Sequence, residues 1–572
     1  MMLIRPAALF LIVAIPRLAL AQPTFTANDY TCFSTLFQSG DMRADLDGSG
    51  TLTANDYITF QRLYAERDPR ANCDGSTSAP APGWTDLTPP PGAQVFYVAA
   101  NGNDSNPGTQ AAPFRTLAKG YSVLRAGQPD QVLLRSGDTF TQAGMDLNKG
   151  SGSLTTYMVI GSYGTGPRPK IRSADSVFGI YSVRGLAIVG LDIQPSSGHP
   201  GNGIWMPEGS SNILIEDCLL AGFGVNVASH RAGASGVIDR LKIRRNVFID
   251  PWSSLPQSGH NLFLGEQTNL LIEENVFDRG GRDGGEQTIF RRNVYIHDSG
   301  GVTQNVTVLG NLHARSCSDS IQVRPGGNVV RNNLSLQNPT GMTSGGGTFE
   351  YNVAIDAKDI NSIDRRGTGF ELFGTFAGGV RYNIVAHQQT GTENINAFAL
   401  NSFTGTFAGN FVYDWKPATG NPGWQTAVQW EGGGGTVVCD GNRLYMVSGG
   451  MLWRHESAAY STRFTYRQNL LWTSTPSGGT QGYMQFSTAS GVGHDWNSWK
   501  SRESNSTFLN AAPSYDLKVG TYLASLGVTP GTDPIATFMT EARKQSKQNW
   551  RQEYTAGGFN TWARGRAGVV QP

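Results

Sequence analysis

From about residue 94 to residue 504 the apolar residues fall in short runs of three to six, and polar pairs separate them. An Asn or Asp stands one or two residues before such a run at Asp217, Asn246, Asn275, Asn311, Asn333, Asn352, Asn383, Asn410, Asn442 and Asn469. Arg245-Asn246-Val247-Phe248, Glu274-Asn275-Val276-Phe277 and Tyr382-Asn383-Ile384-Val385 show the phrase. The intervals run from 19 to 36 residues. That length suits one coil of three short strands joined by turns of unequal length. In such a coil each strand pairs with the coils above and below, inward side chains stack, and an inward Asn can bond its neighbours' backbone and tolerate left-handed geometry. Ten marks at about 4.8 Å per coil predict a rod at least ~45 Å long. A sandwich or a propeller is the alternative, and the irregular intervals without a fixed blade motif count against the propeller.

The start of this region has its own pattern. A strand is predicted from Val95, then a polar turn at Asn101-Gly102-Asn103-Asp104, a helix over 116–126, a strand Gln131–Arg135 and a turn at Ser136-Gly137-Asp138. The helix would cover the open apolar end of the first coil, as repeat architectures require. This opening, with Ile160-Gly161-Ser162-Tyr163-Gly164-Thr165-Gly166, resembles right-handed parallel β-helix proteins of the pectate-lyase-like superfamily. The resemblance implies an all-β, right-handed parallel β-helix of about ten or more coils that binds or cleaves polysaccharide.

Ahead of the rod the pattern changes. Arg5, the apolar stretch 7–15 and Ala19-Leu20-Ala21 read as a signal peptide over 1–21, cleaved near Ala21-Gln22, so the mature chain is expected outside the cytoplasm. Residues 24–37 and 51–64 repeat one helical phrase, each with a Thr cap before Ala-Asn-Asp-Tyr. The second copy follows Asp45-Leu46-Asp47-Gly48-Ser49-Gly50. Oxygen ligands from Asp45, Asp47, Ser49, Thr51 (through its carbonyl), Thr53 and Asp56, with Gly50 at the sharp turn, have the spacing of a loop that wraps Ca²⁺. With Asp as the last ligand and a duplicated helix, residues 22–75 resemble a type I dockerin, which implies a calcium-binding EF-hand-like module and a cohesin-like docking partner. A Pro/Ser-rich linker is predicted over 76–93 and a capping segment over 505–572, with an amphipathic helix from Phe538 to Trp550.

Composition narrows the partners. Charged residues make up only 16% and Gly numbers 72, which excludes a coiled coil or a long charged tail. The formal net charge is +1, falling to −1 (+1 minus Arg5 and Arg17) without the leader, and no basic stripe suggests nucleic acid. Cys32 and Cys73 flank the front module and are the expected disulfide, while Cys218, Cys317 and Cys439 sit in strand-like contexts as packing residues.

Ionisable residues crowd into 257–331, where the insertion Arg279–Glu286 lengthens a coil. Strand alternation puts Asn293, Tyr295 and His297 on one side of Val294 and Ile296, and Ser320, Gln322 and Arg324 opposite Ile321 and Val323. Two consecutive strands thus present polar faces. The candidate catalytic residues are His260, Arg291, Tyr295, His297, Asp319 and Arg324. In a lyase acting on uronic-acid polysaccharide, Arg324, Arg291 or a bound Ca²⁺ could neutralise the uronate, and His297, Tyr295 or His260 could act as base or acid. A glycoside hydrolase would instead draw two carboxylates from Asp283, Glu286, Asp298 and Asp319. A non-catalytic glycan-binding rod is the third class. In each, Trp205, Trp252, Trp415, Trp424 and Trp430 are candidate sugar platforms. The calcium loop is testable alone: Asp45→Ala with Asp56→Ala should abolish calcium-dependent thermal stabilisation of the front module, and an unchanged calcium titration would refute the loop.

Overall fold

The computed structural model describes residues 83–569, except 230–235, 255–257, 282–287, 289, 299–300, 359–366, 391–394, 420–424, 456–461, 475–483 and 487–491, together with scattered positions between 33 and 61. The chain divides into a unit over 1–88 and a unit over 89–571. In the first, Phe33 stacks on Phe60 at 4.2 Å and the buried Asp56 carboxylate accepts the Thr53 N–H at 2.8 Å, the back-bond of a helix cap. Asp45, Asp47, Ser49, Thr51, Cys32 and Cys73 lie outside the described residues.

The second unit is a solenoid of three parallel ladders. One representative coil runs Ser211–Glu216 in the first ladder, Leu219–Ala221 in the second and Val225–Ala228 in the third, then returns to the first at Ile238–Arg244. The second ladder stacks fourteen strands among the described residues, roughly 60 Å at about 4.8 Å each. In the third ladder Leu262, Val294, Ile321, Met342, Phe370, Phe398 and Val428 point inward, in register and fully buried. In the second, Phe248, Phe277 and His313 stack inward at 5.1 and 4.9 Å. The outer row of the first ladder alternates sign, with Arg244 bridging Glu216 at 3.2 Å and Glu273 at 2.6 Å.

Between the first and second ladders runs a column of Asn. From Asn246 to Asn442, the main-chain N–H and the side-chain amide of each Asn both donate to the Oδ1 of the Asn one coil further on. The same amide also donates back to a strand carbonyl of the previous coil. At Asn333, for example, Nδ2 meets Asn352 Oδ1 at 3.0 Å and Val308 O at 2.9 Å. The column continues through Asn275, Asn311, Asn352, Asn383, Asn410 and Asn442 to Asn469, all buried to within 1%. Two details differ from the sequence pattern. Cys218, not Asp217, occupies the Asn position of its coil, its N–H donating to Asn246 Oδ1 at 2.8 Å. The left-handed backbone belongs to the residue before each Asn, such as Asp217, Arg245, Glu274, Asn332, Tyr351, Tyr382 and Gln468, and the Asn keeps ordinary geometry so that its amide can reach along the rod.

A helix Leu117–Ser122, capped by Thr116, covers the first coil and buries Leu117 and Tyr121 beside Val98 and Val132. Gly120 permits this approach, because a Cβ there would fall 2.5 Å from Val132. The C-terminal segment lies along the flank of the rod as a strap. Its Leu517, Tyr522, Phe538, Met539, Phe559 and Ala563 bury the outer apolar row of the second ladder from Val247 to Tyr445. Arg543 pins it to Asp278 at 2.6 Å, and Arg443 holds the Ala567 carbonyl at 3.0 Å. Its helix runs Pro534–Ala542 and does not reach Trp550, because the Gln545 side chain clasps both main-chain groups of Arg551 at 2.6 and 2.8 Å and turns the chain. A second helix, Ala556–Ala567, follows. Cys218, Cys317 and Cys439 are buried thiols, as their contexts imply.

Asn333→Ala orphans two buried donors of the preceding coil and one acceptor, so it should lower stability by about 3 kcal/mol in chemical denaturation. Asn333→Asp, which buries a charge and removes the donor, should cost more.

Candidate functional site

The outward row of the third ladder carries, after Asp146 and Gly179, Trp205, Ala228, Phe263, Tyr295, Gln322, Thr343 and Glu371 on successive coils. From Trp205 on, each follows a buried inward residue, so alternation alone sends it out. Aromatic rings occupy one stretch of the row and hydrogen-bonding groups the next. Around Tyr295 the strands His260–Leu264, Val294–Ile296 and Asp319–Val323 bring several chemical groups together.

The Arg292 guanidinium lies at the centre. It bonds Asp319 at 2.6 Å, donates to the Phe290 carbonyl at 3.3 Å and sits 4.9 Å from the Tyr295 ring centroid. The Arg292 main-chain N–H donates to His260 Nδ1 at 3.3 Å, so a neutral His260 carries its proton on Nε2. The His260 and His297 rings flank Tyr295 at 6.1 and 5.5 Å, and Phe263 packs against all three rings at 5.2 to 5.6 Å. Thr343 links the other Asp319 oxygen at 3.5 Å to Glu371 at 3.4 Å.

Burial sorts these groups. Asp319, His260 and Arg292 are buried, Tyr295 and Glu371 are half-buried, and Arg324 is exposed. A buried guanidinium already paired with a carboxylate serves as a scaffold, and here it presents the Tyr295 ring through a cation–π contact. A ligand carboxylate arriving from solvent would meet the exposed Arg324.

Five of the six candidates therefore gather at three adjacent strands, His260, Tyr295 and Asp319 on them and His297 and Arg324 one residue past their ends. Arg291 does not join them: its guanidinium donates to the Ser253 carbonyl at 2.7 Å and its stem lies over Gly281, where a Cβ would come within 2.3 Å. Its neighbour Arg292 takes the central place. Arg291 and Arg292 precede the strand, where strand alternation no longer says which of two arginines faces the row. Glu371, in the Tyr295 row, was also missed, because it comes 76 residues later (371 minus 295) and only the coil register joins them.

Other candidates have different roles. Asp298 accepts the Val302 and Thr303 N–H groups at 2.8 and 3.0 Å, so its carboxylate is already engaged by the main chain. His313 lies in the interior stack, where burial drives its pKa down to about 3. Trp415 and Trp430 are interior packing, whereas half-buried Trp205 stands in the outward row. Arg282, Asp283, Glu286 and Trp424 lie outside the described residues. Among the described residues no group of three His, Cys, Asp or Glu is placed to hold a metal.

No family model matches the chain, and no curated protein matches it. Solved structures with a related layout include a PL6 family alginate lyase (11% identity over 70% of this chain and 58% of that one, TM-score 0.40). A GH136 lacto-N-biosidase from Eubacterium ramulus shares 12% identity over 73% of this chain and 68% of that one, with TM-score 0.34. A rhamnogalacturonan lyase shares 14% over 75% and 90%, with TM-score 0.28.

Asp319→Ala, which strands the Arg292 charge in a buried site, should cost about 3 kcal/mol in chemical denaturation. Arg324→Ala, at an exposed position, should stay within about 0.5 kcal/mol.

Proposed function

We propose that this chain is a secreted polysaccharide-degrading enzyme that cleaves uronic-acid-containing chains by β-elimination on the outward face of the third ladder. The observation that carries the reading is the convergence of Tyr295, His260 and His297 around one buried Arg292–Asp319 pair, beside the exposed Arg324.

Each group has a task. Arg324 pairs with the uronate carboxylate and stabilises the negative charge that builds on it when the C5 proton leaves. A neutral His297 imidazole takes that proton, and the Tyr295 hydroxyl gives its own proton to the departing O4, so the C4–O4 bond breaks as the C4–C5 double bond forms and an imidazolium and a phenolate are left to exchange the proton back. Arg292 positions Tyr295, and Asp319 positions Arg292. Trp205 and Phe263 offer faces for sugar rings in neighbouring subsites. Within the same reading, the front module binds Ca²⁺ through Asp45, Asp47, Ser49, Thr51, Thr53 and Asp56 and docks the enzyme to a cohesin-like partner.

The hydrolase reading would use Asp319 with a second carboxylate. Complete burial and pairing with Arg292 suit Asp319 poorly to attack or to proton transfer with a substrate.

A panel of alginate, polygalacturonate, rhamnogalacturonan and glycosaminoglycans tests the proposal when ultraviolet absorbance and reducing ends are read together. One of them should give an unsaturated product absorbing near the ultraviolet edge, and Tyr295→Phe or Arg324→Ala should slow its release about 100-fold or more. Reducing ends without the chromophore would replace the lyase with a hydrolase, and binding without either would leave a glycan-binding rod.

A further inference from the structure

A second concave region lies on another side of the rod. The strap, at Lys518, Gly520, Thr521 and Thr532–Ile535, roofs a cavity of about 920 Å³ over the ends of the second-ladder strands. That volume is at the upper end of the range of about 300–1,000 Å³ for small-molecule sites. Its floor is a row of side chains from four consecutive coils, Gln337, Asp356, His387 and Asp414. All four residues have left-handed backbone, with φ of 54°, 55°, 57° and 51°. The common geometry aims them from one corner of the solenoid at steps of about 4.8 Å.

The chemistry of the lining is selective. Three carboxylates, Asp356, Asp414 and Asp533, face one ammonium, Lys518, so a polyanion is disfavoured. Pro534 and Ile535 are the wholly apolar residues in a lining otherwise made of polar side chains and glycine, whose carbon stems add apolar surface of the kind that sugar ring faces contact. The Ser448 N–H and hydroxyl hold the Asp414 carboxylate at 2.6 and 2.8 Å, which fixes its orientation. The Asp533 carboxylate caps the strap helix through the Ala536 N–H at 2.9 Å. His387 Nε2 is buried with no hydrogen-bond partner, an anomaly for a polar atom beside a cavity. Burial, with Lys518 nearby, lowers the His387 pKa to about 4, so its neutral ring offers one donor and one acceptor. Burial raises Asp356 to about 7 against the opposing pull of Lys518 and the Val519 N–H, and Asp516 adds to the rise. A carboxyl near half-protonation also donates and accepts.

We infer that this cavity is a second saccharide site, separate from the Tyr295 face, and that it binds the hydroxyl groups of a neutral oligosaccharide. Paired donors and acceptors repeated at the spacing of coils suit successive sugar rings. The excess of carboxylates would turn away the uronate chain proposed for the other face, so the two sites take different parts of a mixed polysaccharide or two different chains. A neutral ligand held here would tether the enzyme beside its acidic substrate.

Isothermal titration of the full-length mature protein with cellohexaose, xylohexaose, mannohexaose and β-1,4-galactohexaose tests the inference. At least one should bind with a sub-millimolar Kd. His387→Ala and Asp414→Asn should each weaken it about tenfold or more while the thermal midpoint and circular dichroism hold, and Lys518→Ala, at an exposed position, provides a variant that does not touch the core. Tyr295→Phe should leave the binding unchanged, which separates this site from the lyase face even if that assignment fails. Absence of binding by all four sugars would overturn the inference. So would binding that survives all three cavity variants, or binding lost in Tyr295→Phe.

Discussion

The buried Asn column is the interaction on which the rest depends. A parallel solenoid made of strands three to six residues long has little to fix how one coil sits on the next, since apolar side chains stack tolerably in more than one register. A side-chain amide that must satisfy two donors and two acceptors along the rod has one register only. Each Asn in the column is therefore both a hydrogen-bond filler for a turn that has left the sheet and a gauge that sets the coil above it. The preceding left-handed residue costs about 1–2 kcal/mol where it is not Gly, and the column has to offset that at most coils. It ends where the chemistry changes. Asn469 donates to Glu503 at 3.1 Å and its N–H to Ser506 at 2.9 Å, and the same Glu503 receives Trp453 and Trp499 at 3.1 and 3.3 Å.

The functional faces follow from that gauge. With register fixed at one corner, the outward row of the third ladder aligns Phe263, Tyr295, Gln322, Thr343 and Glu371, residues scattered over more than a hundred positions. The same register stacks Gln337, Asp356, His387 and Asp414 at another corner. The lateral strap then does two things: it closes the apolar flank that the second ladder leaves outward, and it roofs the cavity. One side of the rod thus carries the Tyr295 row, while a different side carries a partly roofed, carboxylate-rich cavity.

Much of this was legible because the pattern is local. Asn246 through Asn469 mark their own coils, Thr116 caps its helix, and Gln131–Arg135 is a strand of the predicted length. Alternation also placed Tyr295 and Gln322 in the outward row, but Asn293 and Ser320, expected beside them, are fully buried, Asn293 accepting from the Asn261 amide at 2.9 Å and Ser320 bonding the Gly341 carbonyl. What stayed hidden needed register or tertiary contact. Asp217 imitates a column residue, yet Cys218 takes the place: its N–H reaches Asn246 Oδ1, and its buried thiol, packed under the preceding coil, has no amide with which to carry the column further. Arg292 could not be told from Arg291 at a turn. The cavity needed Lys518 and Asp533 to meet Asp356, more than 150 residues earlier in the chain. The helix predicted to Trp550 stopped at Ala542 because one glutamine hydrogen-bonds the backbone six residues on, and amphipathic spacing does not encode that clasp.

Amide hydrogen exchange tests the central claim most directly. Each column Asn sits in a turn between strands, and its own N–H has a side-chain acceptor in the next coil as its only described partner. If the column locks the coils, the main-chain amides of Asn275, Asn311, Asn333 and Asn352 will exchange as slowly as those of the flanking strand residues, and Asn333→Ala will speed exchange at Asn311 first. Exchange of these amides at the rate of exposed turns, with the strands still protected, would show that apolar stacking alone sets the register.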